Sequence, residues 1–249
     1  MKIGMIGLGK MGGNMAERLR RHGHTVVGMD PSVKDADAQT LEQLVPLLGE
    51  EGQPRIAWSM VPAGPITEDT IAKLGNLLSK GDIVIDGGNS NFEDSIRHGE
   101  ELATKGVGFI DCGTSGGVWG LENGYCLMAG GSTEDIATAQ PIFDALAPEE
   151  GFAHAGPIGS GHYVKMIHNG IEYGIMQSYA EGYAIMEACD LDIDSHAALS
   201  AWRKGSVVQS WLLDLLVKAL EDNPRLKGIR GVAADSGEGR WTVNEAVRH

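Results

Sequence analysis

The chain has 249 residues, enough for one large domain or a medium one joined to a smaller one, and its 42% hydrophobic and 22% charged composition is that of a soluble globular protein. A net charge of −14 argues against a nucleic-acid backbone or an anionic membrane as partner, because both demand a basic footprint. An anionic small substrate is admissible if the site gathers its own cations.

MKIGMIG reads as a strand, KMGGNMAERLRRH as a helix stopped by Gly23, and HTVVGMD as a second strand. RIAWSMVP, DIVIDGG, GVGFIDCG and YCLMAGG follow as strands, each ending in Gly, Pro or Asp. This alternation predicts an α/β fold with a Rossmann-type, doubly wound parallel sheet over residues 1–156. The stretch from Asp30 to Val61 is short for a full helix–strand–helix excursion. At AGPIGSG (155–161) Gly, Pro and Ser cluster and the texture changes. From Gly161 to Cys189 there is no Pro and no β-rich run, which predicts one long helix. SHAALSAWRKG and SVVQSWLLDLLVKALED read as shorter helices, so residues 157–249 form an all-helical substrate and dimerisation domain. WTVNEAVRH reads as the start of a further helix, and an incomplete second domain is the expectation.

Cys112, Cys126 and Cys189 are widely spaced and form no C-x-x-C pair, so neither a disulfide framework nor a metal site is expected, and a reducing cytoplasm is the natural home. They read as buried small apolar groups. MKIGMIGLG is too short and glycine-broken for a signal peptide, and WLLDLLVKAL is too short to span a bilayer. Trp58, Trp202, Trp211 and Trp241 read as packing residues, with Trp119 the one to watch, and His22, His24 and His98 as surface groups.

Gly7-x-Gly9-x-x-Gly12 follows a strand and opens a helix, the context that gives this spacing its meaning. The first glycine permits the tight turn, the second lets a pyrophosphate approach the backbone, and the third lets helix and strand pack closely. Leu8, Lys10 and Met11 line the same turn. Asp30, 18 positions after Gly12 at the end of the second strand, can bond the ribose hydroxyls of NAD and would repel the 2′-phosphate of NADP. NAD is therefore the expected cofactor. Ligands of such sheets lie beyond the carboxyl ends of the strands. There Val61, Pro62 and Ala63 can line the nicotinamide side, Asn89 offers an amide, and Ser115, Gly116 and Gly117 offer a hydroxyl and N–H groups suited to a carboxylate.

In KMIHNGIEY, Lys165, His168, Asn169 and Glu172 fall at i, i+3, i+4 and i+7, one face of a helix. Lys165 and Glu172 would stand roughly 10 Å apart along the axis, able to flank a small molecule. Spacing alone equally admits a solvated face. Gly161, Gly170 and Gly174 nearby weaken a helix and suggest close approach of something else.

The wording GLGKMG, MVPAG, DGGNS, TSGG and GSGHYVKMIHNGIEYGIMQ closely resembles the decarboxylating 6-phosphogluconate dehydrogenases, in their shorter NAD-type branch, over nearly the whole chain. Related β-hydroxyacid dehydrogenases share the Gly-rich turn, the S-G-G loop and the helix Lys but lack the Glu-Tyr pair. The resemblance implies oxidative decarboxylation of 6-phosphogluconate to ribulose 5-phosphate and CO2. It makes Lys165 the general base, which asks the site to favour the uncharged amine, and Glu172 the acid that protonates the enediol. It implies that Asn89, His168 and Asn169 hold substrate hydroxyls, Ser115, Gly116 and Gly117 the carboxylate, and Tyr173 the phosphate. Longer members place a phosphate-binding Lys where this chain has Ser236, and supply an Arg and a His from C-terminal segments; Arg240 could add charge here. A homodimer is expected through the helical domain. The alternatives are a dehydrogenase of a smaller β-hydroxy acid, of the 3-hydroxyisobutyrate type, and a cofactor-binding protein without turnover.

Overall fold

The structure is a computed structural model and describes residues 1–49, 54–232, 235 and 237–249. Two compact units divide the chain, Met1–Met166 and Ile167–His249. The boundary expected at residues 156 and 157 falls where the last strand ends; the opening turns of the long helix beyond it pack with the first unit.

The first unit alternates β1 (Lys2–Ile6), α1 (Lys10–Arg21), β2 (Thr25–Met29), α2 (Leu41–Leu47), β3 (Ile56–Ser59), α3 (Pro65–Leu77), β4 (Ile83–Asp86), α4 (Phe92–Ala103) and β5 (Gly108–Ser115). It continues through α5 (Gly120–Asn123), β6 (Cys126–Gly130), α6 (Thr133–Leu146) and β7 (Phe152–Gly156). The strands form one seven-stranded sheet in the order β2-β1-β3-β4-β5-β6-β7. β1 to β5 run parallel, as the alternation predicts. The expectation of a parallel sheet throughout fails at β6, which runs antiparallel to β5, with β7 then parallel to β6.

From β1 to β6 the sheet is buried on both faces, which is why these strands read as near-continuous apolar runs. One face carries Ile3, Met5, Trp58, Ile85, Ile110 and Leu127 against α1 and α6; the other carries Ile6, Val27, Ala57, Val84 and Phe109 against α2, α3 and α4. Each large side chain buried in this way contributes roughly 1.5–3 kcal/mol. Asn91 and Ser132 cap α4 and α6 by accepting the N–H of Glu93 and Asp135. Near the amino ends of β3 and β4, Arg55 and Asp82 form a buried ion pair at 2.6 Å, and the same carboxylate accepts the N–H of Ser79.

α7 (Ser160–Ala188) realises the long helix read from the sequence and passes from the first unit into the second. α8 (Ser195–Trp202), α9 (Trp211–Asp222) and α10 (Glu238–Arg248) complete the second unit, which has no strand among its described residues. The helix expected from Ser206 begins at Trp211, because Ser210 caps it by accepting the N–H of Leu213. Leu199, Leu213, Val217 and Leu220 form this unit's small core, with Tyr179, Tyr183 and Met186 of α7 packed on it. Trp58 is buried, whereas Trp202 and Trp211, expected to pack, are exposed. Cys112 is buried, but Cys126 and Cys189 are exposed, against expectation.

Candidate active site

The Gly-rich turn is built on close approach. Gly7 has φ +87°, and a Cβ there would lie 2.7 Å from the Met60 carbonyl oxygen. A Cβ on Gly12 would overlap the Gly7 carbonyl, so the third glycine lets α1 descend onto β1. Around Gly9, by contrast, no described atom lies within 4 Å of a Cβ. Gly9 is the cap of α1 and brings no side chain, so the helix N-terminus faces open space that a pyrophosphate can take. Leu8 packs against Gly28, Met11 lies against the core, and Lys10 is exposed.

Asp30 stands where the sequence places it. Its Oδ2 accepts the N–H of Leu8 at 2.8 Å, and its Oδ1 accepts both the N–H (2.8 Å) and the hydroxyl (2.6 Å) of Ser32. The Ser32 hydroxyl, helped by these N–H groups, holds the carboxyl below its usual range. Val61, Pro62 and Ala63 follow β3, and the Pro62 carbonyl accepts the Thr67 hydroxyl at 2.9 Å.

Asn89 is exposed at the tip of the loop after β4. Its loop is held by Asp86: the buried carboxylate accepts the Gly88 N–H at 3.0 Å and the Ser90 hydroxyl at 2.6 Å. An aspartate closing an apolar strand ahead of G-G-N-S was the available signal.

Ser115 ends β5, and Gly116 (φ +141°) and Gly117 (φ +53°) turn the chain away from it. Asn14 of α1 donates to the Val118 carbonyl at 3.3 Å. Arg18, one turn further, donates to the Leu121 carbonyl at 3.1 Å and to the Ala145 and Leu146 carbonyls at 3.1 and 3.0 Å. α1 thus ties down the segment that follows Ser115. Trp119, in that segment, is exposed.

Lys165 is buried, 7% exposed, and its stem crosses β5: a Cβ on Gly113 would overlap the Lys165 Cβ. Two further buried residues stand near it on α7 and β5. Asp111 accepts the Gly159 N–H at 2.6 Å and the His162 N–H at 2.7 Å, and the His162 ring places Nδ1 2.7 Å from the Ser95 hydroxyl. Burial pushes the Asp111 carboxyl up, with His162 and the two N–H groups pulling the other way. Sequence reasoning named neither residue.

The second unit carries the rest of the stripe. Asn169 is buried, 7% exposed, with its Oδ1 3.1 Å from His168 Nδ1. His168 also stands 3.8 Å from Glu172, which is 38% exposed by its side chain. Tyr173 is exposed, with its ring against Gly239 of α10, and a Cβ on Gly170 would lie 2.6 Å from the Thr242 methyl. Gly161 and Gly170 therefore do meet close neighbours; Gly174 meets no described atom within 4 Å. Arg240 pairs with Asp235 at 3.1 Å, and Ser236 lies outside the described residues. His98, expected at the surface, is 2% exposed: it sits on the inner face of α4 against Phe109, 3.0 Å from Glu68. Among the described residues no group of His, Cys, Asp and Glu is arranged to hold a metal ion, and no helix is long and apolar enough to cross a membrane.

Comparison with known proteins gives the same assignment along both halves. Residues 2–156 match the profile of the NAD binding domain of 6-phosphogluconate dehydrogenase, and residues 161–249 that of its C-terminal domain. An NAD(+)-dependent, decarboxylating 6-phosphogluconate dehydrogenase of Haloferax volcanii is 40% identical over 99% of this chain and 84% of its own length. A longer enzyme of that description from Bacillus subtilis is 34% identical, and this chain spans 57% of it. The structure of Plasmodium falciparum 6-phosphogluconate dehydrogenase superposes with a TM-score of 0.87 at 29% identity, covering 100% of this chain and 58% of that one. Mycobacterium tuberculosis 3-hydroxyisobutyrate dehydrogenase, at 19% identity and a TM-score of 0.71, shares the fold. With a glycine-built dinucleotide turn, a buried lysine on a long helix and family profiles over both halves, the chain belongs to the 6-phosphogluconate dehydrogenase family of oxidoreductases.

Proposed function

We propose that the chain oxidises and decarboxylates 6-phosphogluconate to ribulose 5-phosphate and CO2, with NAD as hydride acceptor. The observation that carries this reading is Lys165: a buried amine whose stem lies on β5, the strand that ends in Ser115 at the same sheet edge as the Gly-rich turn. Gly7, Gly9, Gly12 and Asp30 would hold the dinucleotide, with Val61, Pro62 and Ala63 beside it. When bound, it supplies a nicotinamide that accepts hydride from C3 of the substrate.

Lys165, uncharged, takes the proton of the C3 hydroxyl onto Nζ as that carbon becomes a ketone. Ser115, Gly116 and Gly117 hold the C1 carboxylate until it leaves as CO2, its bonding electrons passing to the enolate. The Lys165 ammonium stabilises and then protonates the enolate oxygen. Glu172 donates its proton to the enediol carbon that bore the carboxylate (C2 of the substrate, C1 of the product) while Lys165, again uncharged, takes back the C3 hydroxyl proton, giving the product ketose. Asn89, His168 and Asn169 hold hydroxyls, and Tyr173 the phosphate. In this proposal residues 1–156 bind the cofactor and residues 157–249 form the substrate and dimerisation domain of a cytoplasmic homodimer. The exposed Ile171, Ile175, Met176 and Ile185 of α7 support burial against a second copy.

Arg240, engaged with Asp235, favours one alternative, a smaller unphosphorylated β-hydroxy acid. Purified protein with NAD and 6-phosphogluconate separates the two by NADH absorbance and CO2 release. Both products support the proposal. NADH with small hydroxy acids alone supports the alternative, and cofactor binding without turnover on any of them refutes both.

A further inference from the structure

Alternate residues of a strand face one side of the sheet, and three such positions of β5 each meet a part of the candidate site. Asp111, the first, receives the Gly159 and His162 N–H groups at the start of α7. Gly113, the second, has no side chain, and its place is taken by the Lys165 stem: an added Cβ would overlap Lys165 Cβ and lie 2.9 Å from its Cγ. Ser115, the third, ends the strand. His162 and Lys165 are i and i+3 on α7, so the turn whose N–H groups Asp111 holds is the turn that carries Lys165.

The source of this cap is informative. α4, α6, α8 and α9 are capped by their own Asn91, Ser132, Asp194 and Ser210. A self-supplied cap fixes where a helix starts in the sequence. A cap supplied by a strand also fixes where the helix starts relative to that strand. Gly159, which precedes α7, has no side chain with which to cap it, and the hydroxyl of Ser160, the first helical residue, donates to the Pro157 carbonyl. The start of α7 is also pressed onto the sheet: a Cβ on Gly161 would overlap the Asp111 carbonyl and lie 2.6 Å from that of Met128. α4 closes the other side, with Ser95 on the His162 ring and Phe92 packed edge-on against Tyr163 at 4.9 Å. A buried carboxylate is costly to desolvate, so a fully buried one needs a compensating role.

We propose that Asp111 and Gly113 are positioning residues that set Lys165 at a fixed distance from Ser115, one by pinning the helical turn and the other by seating the side chain. This rests on the reading of Lys165 as the general base. Asp111→Asn keeps the size but replaces one acceptor oxygen with an NH2 that cannot receive the second N–H. Gly113→Ala leaves the cap intact and puts a methyl where the Lys165 stem lies. The measurements are kcat and KM for 6-phosphogluconate, the affinity and stoichiometry of NAD binding, and the thermal midpoint, with Lys165→Met alongside.

Each β5 variant is expected to lose about a hundredfold in kcat, the effect of moving a catalytic group by about 1 Å. KM should change little, and NAD should bind to every chain at near wild-type affinity. A loss of folded enzyme in both β5 variants would instead lower kcat and NAD stoichiometry together, and that result overturns the proposal. If Lys165→Met is inactive while a folded β5 variant keeps the wild-type kcat, the positioning role falls and the base assignment stands. If Lys165→Met turns over, both fall. Should Asp111→Asn fail to fold, Gly113→Ala carries the test alone.

Discussion

Replacing Asp30 with Asn removes one charge from the proposed cofactor site at nearly constant shape, and its effect on cofactor choice can be worked out term by term. Asp30 is held below the usual carboxylate range by Ser32, so it is ionised at neutral pH. A charged hydrogen bond to a ribose hydroxyl is worth about 1.5–3 kcal/mol, so the loss on the NAD side is at least about tenfold in kcat/KM. On the NADP side, one unit charge about 4 Å from a phosphate charge costs about 1 kcal/mol in water and about 4 kcal/mol at a dielectric of 20. Asp30 is partly exposed, so the lower part of that range applies and the variant gains roughly five- to tenfold with NADP. The NAD-to-NADP preference should therefore shift by about a hundredfold. The assay is kcat/KM with each cofactor for both proteins at low and high salt. Wild-type preference should narrow with salt, because screening weakens the repulsion. A preference that moves by less than about threefold, or one insensitive to salt, removes Asp30 from cofactor selection.

Lys165→Met should abolish NADH formation while leaving NAD binding nearly intact; retained turnover refutes its role as base. Glu172→Gln should slow appearance of ribulose 5-phosphate more than that of NADH, and an unchanged overall rate excludes the acid assignment. Asp82→Asn breaks the buried pair with Arg55 and leaves a guanidinium uncompensated, a loss of about 3–5 kcal/mol that lowers the thermal midpoint by about 10 °C. A midpoint within 2 °C of wild type, on the order of experimental scatter, would contradict that estimate. The Arg97 guanidinium, first among its neighbours, holds the Glu68 carboxyl below its usual range. A depressed folded value means that the stabilisation is present above the unfolded value of about 4.3 and lost as pH falls below it. Denaturant titrations of Glu68→Gln and wild type should thus differ at pH 6 and converge as the solution is acidified.

Much of the architecture was legible because parallel strands buried on both faces announce themselves as apolar runs. β7 was not: Phe152-Ala153-His154-Ala155-Gly156 has no β-branched residue and is exposed along its middle. The reversal at β6 has a sign in the sequence. Only residues 116–125 separate β5 from β6, short for the crossover that a parallel neighbour requires. His98 carried another, since Ser95, His98, Gly99 and Leu102 at i, i+3, i+4 and i+7 form the buried face of α4. The glycine spacing of the turn was readable because it is local in sequence, whereas the spacing of the stripe left open which face Lys165 takes. Asp111 was not readable from the sequence alone: its partners lie 48 and 51 residues away, and nothing in GVGFIDCG says that its aspartate will hold the start of a helix.

The reversal of β6 also has a practical consequence. In the antiparallel register Cys126 pairs with Ser115, and its thiol is exposed. Directly opposite residues in such a ladder hold their Cβ atoms about 4.5–5.5 Å apart. Of the other two thiols, Cys112 is buried and only Cys189 would need replacing by serine. A small environment-sensitive dye on Cys126 would then report from beside the proposed carboxylate loop, giving an optical signal for substrate arrival that does not depend on turnover.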